Sequence, residues 1–253
     1  MLNLGRRGFR KGLFTERRDR LASDRKSLRS NMLGEFEFNA SRLGTLVVLV
    51  LSVALHEAAH AFATDALGDD TPRRLGRVTL NPLPHLDPFL SVLLPALAIF
   101  SGSPFLFGAG KPVPFDFRNL RHPARDAALI TLAGPASNFL QAAIWSTAYI
   151  VGWRNEWFDT RSPAFELIEY GIRINLILAL FNLLPIPPLD GSRVLGWLLP
   201  RQIQPLWYAL DRFALVFIVA LVYLSLKVDI YGTLFEPLVR WWKDWTVELA
   251  AGG

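Results

Sequence analysis

Residues 43–64 read LGTLVVLVLSVALHEAAHAFAT, an apolar run of 22 residues interrupted only by His56, Glu57 and His60. A helix that crosses a bilayer needs roughly 20 mostly apolar residues. Length and composition therefore make this run a membrane-spanning helix. Ionisable side chains inside such a helix are unfavourable unless they face partners or a wet interior. The three interruptions thus point to function rather than accident.

Outward from this run, the same pattern repeats. Residues 127–153 hold 27 positions without a charge, and residues 174–189 hold 16. The latter extends back to Ala164 if Glu166, Glu169 and Arg173 face headgroups or protein. Residues 213–226 are apolar, with 202–210 lengthening them. Residues 88–110 are uncharged but broken by Pro88, Pro95, Pro104 and several glycines, so they either span or dip in and return on the same side. Residues 76–81 alternate enough for a short strand, and 111–115 read as extended chain. The expected fold is an α-helical, polytopic membrane bundle with a short β-hairpin or re-entrant region between its first two core helices.

Composition narrows the classes further. Hydrophobic residues make up 51% and charged residues 19% of the 253 positions, and mean hydropathy is +0.27. That balance excludes disorder and a coiled coil. With no cysteine, disulfides, thiol nucleophiles and cysteine-ligated metals are excluded. Residues 1–30 carry ten Lys/Arg against three acids, +7, while the other 223 carry 17 against 19, −2. This basic tail reads as solvated chain or as a segment drawn to anionic headgroups. It lacks the interleaved aromatics that nucleic-acid binding uses. The expected organisation is a basic tail over 1–40, a membrane-embedded core over 41–200, and a C-terminal membrane helix with an interfacial tail over 201–253. Trp241, Trp242 and Trp245 beside Arg240 and Lys243 suit an interfacial helix there, and an ordinary surface helix is the alternative reading.

The sequence His56-Glu57-Ala58-Ala59-His60 carries the chemistry. Positions i and i+4 share a helix face, so both imidazoles can reach one zinc ion. Hydrolytic zinc takes three protein ligands and a water, and Glu57 is placed to act as the base. The third ligand must come from elsewhere. His85, in a proline-rich turn, and His122, beside Arg121, read as surface or loop histidines. Asp190 is the better candidate, following prolines that unwind the helix and preceding Gly191. Its rival reading is a headgroup-facing aspartate that ends a span.

Taken together, His56-Glu57-Ala58-Ala59-His60, Gly134-Pro135-Ala136-Ser137-Asn138 and Asn182-Leu183-Leu184-Pro185-Ile186-Pro187-Pro188-Leu189-Asp190-Gly191 resemble the site-2 protease family of intramembrane zinc metalloproteases. Residues 76–82 with 111–114 are similar to its compact prokaryotic branch, which lacks PDZ and nucleotide-sensing domains. The resemblance covers about residues 40–200. It implies one zinc ion held by His56, His60 and Asp190, with Glu57 as catalytic base. It also implies a substrate or oxyanion role for Asn182 and a packing or substrate role for Asn138. The implied substrates are membrane-spanning proteins, cleaved within the bilayer of a prokaryotic cell membrane.

In that family the metal-binding helix runs from outside toward the cytoplasm. The loop 111–125, with Lys111, Arg118, Arg121 and Arg125 against Asp116, fits a cytoplasmic position. The +7 tail would then lie outside, against the same rule, and a start at Met32 removes the conflict. The competing function is a membrane metal-ion or proton transporter using the same His/Glu/Asp cluster. Transport sites draw ionisable groups from several helices, whereas two histidines four apart around a glutamate suit one hydrolytic zinc.

Overall fold

The computed structural model describes residues 40–102 and 108–251, so the basic tail and Met32 lie outside the described residues. Helix α1 (Ala40–Ala66) contains the sequence His56-Glu57-Ala58-Ala59-His60. Its 27 residues reach about 40 Å at about 1.5 Å per residue, longer than a hydrocarbon core of about 30 Å. A single turn, α2 (Thr71–Arg74), follows, and then a π-helical turn (Pro88–Leu93) that runs into α3 (Leu94–Phe100). The long helix α4 (Pro123–Arg154) and α5 (Pro163–Asn182) come next. The shorter α6 (Asp190–Leu198) and α7 (Gln204–Tyr208) lead to α8 (Ala214–Lys227) and α9 (Glu236–Ala251).

Three stretches are long and apolar enough to cross a membrane: Ser41–Ala66, Pro123–Arg154 and Gln204–Leu221. The chain is a helical membrane protein. Helix α5 is kept out of that set by its charges, but two of these, Glu169 and Arg173, find partners on the C-terminal segment. Glu169 pairs with Lys243 of α9 at 2.9 Å, and Arg173 Nε donates to the Tyr231 hydroxyl at 3.0 Å.

Helix α4 is the hub, packing against α1, α5, α6 and α9. It runs antiparallel to α1, because Gln141 reaches the Ser52 carbonyl while His60 meets Ile130. In lipid there is little hydrophobic drive between helices, so small residues and polar contacts hold them together. Gly171 of α5 lies flat against the Trp145 ring, where a Cβ would fall 2.5 Å from its atoms. Ser52, Asn138, Ser146, Asn175 and Thr246 are polar side chains buried between the helices. One face of α9 is buried through Val239, Thr246 and Ala250, and Trp242 Nε1 donates to Ser146 at 2.9 Å. Trp241 and Trp245 stay exposed.

The expected β-hairpin is not formed, and no strand occurs among the described residues. The segment 76–81 alternates in polarity, but its amides are satisfied locally. Arg77 N–H donates to Pro72 O at 2.8 Å and Thr79 N–H to Arg77 O at 2.9 Å. Asn81 N–H goes to Thr79 Oγ1, and Leu83 N–H to Asn81 Oδ1. Short polar side chains that capture neighbouring amides compete with a ladder. The two described ends of the 88–110 stretch meet: Ala109 N–H donates to Leu90 O at 3.3 Å, and Ser91 Oγ donates to Ala109 O at 2.6 Å.

Of the surface and loop readings of His85, the structure bears out the loop, since it lies in a short 3-10 turn (Leu83–His85), but the side chain is fully buried. Its Nε2 donates to Thr79 O at 2.9 Å, and Nδ1 faces Arg77 Nε at 3.5 Å. Burial pushes the imidazole below its ordinary value, the Thr79 carbonyl opposes this, and the Arg77 charge adds to the lowering. His122 is exposed, as expected.

Candidate metal centre

The i, i+4 spacing on α1 brings the two imidazoles edge to face, with Nε2 atoms 3.0 Å apart. Both residues are buried, at 7% and 8% exposure. The third group arrives from α6. Between Asn182 and Asp190 the prolines at 185, 187 and 188 carry no amide hydrogen, so α5 cannot continue. The turn closes through Ile186 N–H to Leu184 O and Leu189 N–H to Ile186 O, both 2.8 Å. Gly191 then lies against the end of α5, where a Cβ would fall 2.7 Å from Leu184 O. This places Asp190 Oδ2 at 3.2 Å from His56 Nε2 and 3.4 Å from His60 Nε2.

The protons around these atoms test whether a cation belongs there. His60 Nδ1 lies 2.8 Å from Ile130 O, an acceptor only, so Nδ1 carries the hydrogen. His56 Nδ1 lies 2.6 Å from Asn138 Oδ1 and donates likewise. In the neutral rings both Nε2 atoms are then bare lone pairs. Asp190 Oδ2, although buried, has no hydrogen-bond donor among the described residues. Three lone-pair donors thus converge within one ion's reach, each ligand atom within 4.8 Å of the others. Two imidazoles and a carboxylate, with both rings held through their second nitrogen, form the donor set that zinc takes in hydrolytic sites. The residues fit the metal.

Helix α4 makes room for this cluster at Gly134. A Cβ there would fall onto His60 Nε2 and lie 2.6 Å from His56 Cε1. Glu57, half-buried, has its carboxyl against the backbone of Gly110, where a Cβ would lie 2.6 Å from Oε1. The segment bearing Gly110 is tied down by Arg77, whose Nη2 donates to Lys111 O at 2.5 Å and Nη1 to Pro112 O at 3.3 Å.

Residues 158–225, the stretch that includes Asn182 and Asp190, match the model of Peptidase family M50. The chain is 36% identical over 162 residues to a Bacillus subtilis protein named "Putative zinc metalloprotease YwhC", covering 63% of this chain and 70% of that one. The chain belongs to peptidase family M50, the site-2 proteases. A Mycolicibacterium smegmatis relative of this M50 protease, named "Putative zinc metalloprotease Rip2", is 29% identical over 215 residues, 81% of this chain and 76% of the relative. The Mycobacterium tuberculosis protein of the same name is 32% identical over 176 residues, 68% and 63% respectively. No solved structure gives a significant match. The M50 protease is an intramembrane zinc metalloprotease, which sets aside the transporter reading.

The remaining sequence candidates separate. Asn138 of the protease is fully buried and hydrogen-bonded to His56. Asn182 ends α5 and donates to Leu178 O at 2.9 Å, turned along its own helix. Sequence reading passed over Asn175 and Ser52, which continue the chain of hydrogen bonds from Asn138 at 2.9 and 3.0 Å. Each is a polar side chain within an apolar run, which was the available signal. Gly134 opens one of the motifs that carry the family resemblance, but neither there nor at Gly110 does the sequence say which atoms approach the glycine.

Proposed function

We propose that this M50 protease hydrolyses peptide bonds of membrane-spanning proteins at a single zinc held by His56, His60 and Asp190, with Glu57 as the base. The observation that carries this reading is the convergence of His56 Nε2, His60 Nε2 and Asp190 Oδ2 within 3.0–3.4 Å, with each ring engaged through Nδ1 elsewhere. When bound, zinc supplies Lewis acidity that activates water and polarises the scissile carbonyl. Glu57 Oε1 accepts the proton of the attacking water and returns it to the leaving amide nitrogen. Asn138 holds the His56 ring through Nδ1, a positioning role in place of a substrate contact. Asn182 contacts substrate if its amide leaves Leu178 O, and can then support the oxyanion.

Water access follows from depth. His60 lies six residues from the end of α1 and His56 ten, about 9–15 Å in at about 1.5 Å per residue. Arg73, Arg74, Lys111, Arg118, Arg121 and Arg125 surround that end of the bundle, which supports a cytoplasmic placement in a prokaryotic cell membrane. The catalytic core occupies residues 41–200, and 201–253 adds a further membrane helix and the α9 brace. The backbone of a substrate helix is sealed by its own hydrogen bonds, so it must unwind locally before water can attack.

The test uses purified protein and a panel of single-span substrates, assayed with and without a zinc chelator. Glu57→Gln is expected to retain zinc and lose cleavage by at least about 100-fold, the scale of a lost general base. Asp190→Ala is expected to lose both. Cleavage by Glu57→Gln at the wild-type rate, or full zinc content in Asp190→Ala, would overturn the assignment.

A further inference from the structure

Asn175 lies on α5, a helix that contributes none of the three converging metal-binding groups. It is fully buried. Its Nδ2 donates to Gly171 O at 2.9 Å and to Ser52 Oγ at 3.0 Å, and its Oδ1 accepts from Asn138 Nδ2 at 2.9 Å. We infer that Asn175 is a positioning residue of the metal centre, setting the orientation of the Asn138 amide and, through it, the imidazole of His56.

The argument begins at a backbone atom. Gly171 O can only accept, so the group facing it must be the Asn175 NH2. The opposite end of that amide, Oδ1, therefore faces Asn138. An oxygen there requires a donor, which turns Asn138 Nδ2 toward Asn175 and leaves Asn138 Oδ1 toward His56. That oxygen can only accept, so His56 Nδ1 carries the hydrogen and Nε2 presents its lone pair to the metal. Reverse the Asn138 amide and its NH2 would face His56 Nδ1. The ring would then be favoured with its hydrogen on Nε2, directed at His60 Nε2 and Asp190 Oδ2. An asparagine alone has nearly equal ends, so the choice must be made elsewhere. The α5 backbone makes it, two hydrogen bonds away. His60 needs no such device, because Ile130 O is itself a backbone acceptor.

A merely structural role would make Asn175 a polar contact holding α1, α4 and α5 together. The two roles separate in zinc affinity. This inference rests on His56 being a zinc ligand, so His56→Ala is included as the control for that reading. Full-length protein in detergent is stripped of metal and titrated with zinc against a chromophoric chelator, with thermal unfolding of the metal-free protein recorded in parallel. Asn175→Leu is expected to weaken zinc binding by about 10-fold or more, the usual effect of losing an outer-shell partner. In an Asn138→Asp background either carboxylate oxygen accepts from His56 Nδ1, so no amide orientation remains to be set, while Asn175 Oδ1 loses its donor. There Asn175→Leu removes only that acceptor–acceptor contact and is expected not to weaken zinc binding, a strong non-additivity. Ser52→Ala leaves the Gly171 anchor intact and is expected to leave zinc affinity unchanged. If Asn175→Leu does not fold, Asn175→Ala is compared in the same two backgrounds. Wild-type affinity in the Asn175 variant, or an equal loss in both backgrounds, would overturn the inference. Unchanged affinity in His56→Ala would instead overturn the ligand assignment beneath it.

Discussion

At Gly134 a single missing methyl group lets α4 approach the two imidazoles. The rings cannot swing aside freely, since His56 and His60 are each held through Nδ1. Gly134→Ala would push a carbon into both. Overpacking of this kind costs about 1–3 kcal/mol, and here the displacement falls on the imidazole atoms proposed to hold zinc. The expected outcome is a folded protein with zinc affinity weakened by about tenfold or more, the scale seen when ligand support is lost. Metal analysis alongside circular dichroism checks it. Wild-type zinc content would show that α4 can retreat without disturbing the rings. The His56–His60 pair itself could be read from the sequence because i, i+4 spacing is local geometry. The need for glycine at 134 could not, because it depends on a neighbour more than 70 positions away.

Among the elements, the loop region between α1 and α4 replaces the expected hairpin with a set of buried ties. Arg77 fixes the Lys111 and Pro112 carbonyls and so holds Gly110 against Glu57. Arg77→Ala is expected to leave zinc content intact and lower kcat/KM on the order of tenfold, as a displaced segment lets the base wander. Full activity would remove the segment from the positioning of Glu57. Asp69 ties the same region to the end of α1. It accepts from Thr71, from Asp116 N–H at 2.6 Å and from Asn119 Nδ2 at 2.8 Å. Burial opposes its ionisation, but these donors outweigh it and hold the carboxyl below its ordinary 3.8. A depressed folded value means that the native state binds fewer protons than the unfolded chain around that pH. The stabilisation is therefore complete above 3.8 and is lost as pH falls through the lower folded value. Thermal unfolding followed from pH 5 downward should show a steeper loss for wild type than for Asp69→Asn. Parallel curves would remove Asp69 from the acid sensitivity.

Over the whole molecule, α9 braces the membrane bundle away from the metal. Trp242 stacks on Phe139 with ring centres 6.3 Å apart and donates to Ser146, and Lys243 pairs with Glu169. Trp242→Ala is expected to destabilise the protein by about 3 kcal/mol, the lower end for loss of a packed tryptophan. Zinc affinity of the folded protein should stay unchanged, since α9 supplies none of the groups at the centre. A fall in affinity matching the fall in melting temperature would mean that the brace and the metal centre are one cooperative unit.

The sequence alone determined the helical membrane class, because a run of apolar residues long enough to span is a property of consecutive positions. It also determined the paired histidines, because helical spacing puts them on one face whatever else the chain does. The approach of Asp190, 130 positions beyond His60, was decided by tertiary structure. The prolines before it said that the helix must stop, but only the packing of α6 on α4 says where the restarted chain points. The segment 76–81 had a strand's alternation, yet Thr79 and Asn81 captured the local amides once Arg77 and His85 were buried. Asn138 and Asn175 showed as polar residues in apolar runs, but their direction did not. An amide's orientation is set by its partners, and these come from helices that meet only when the chain folds.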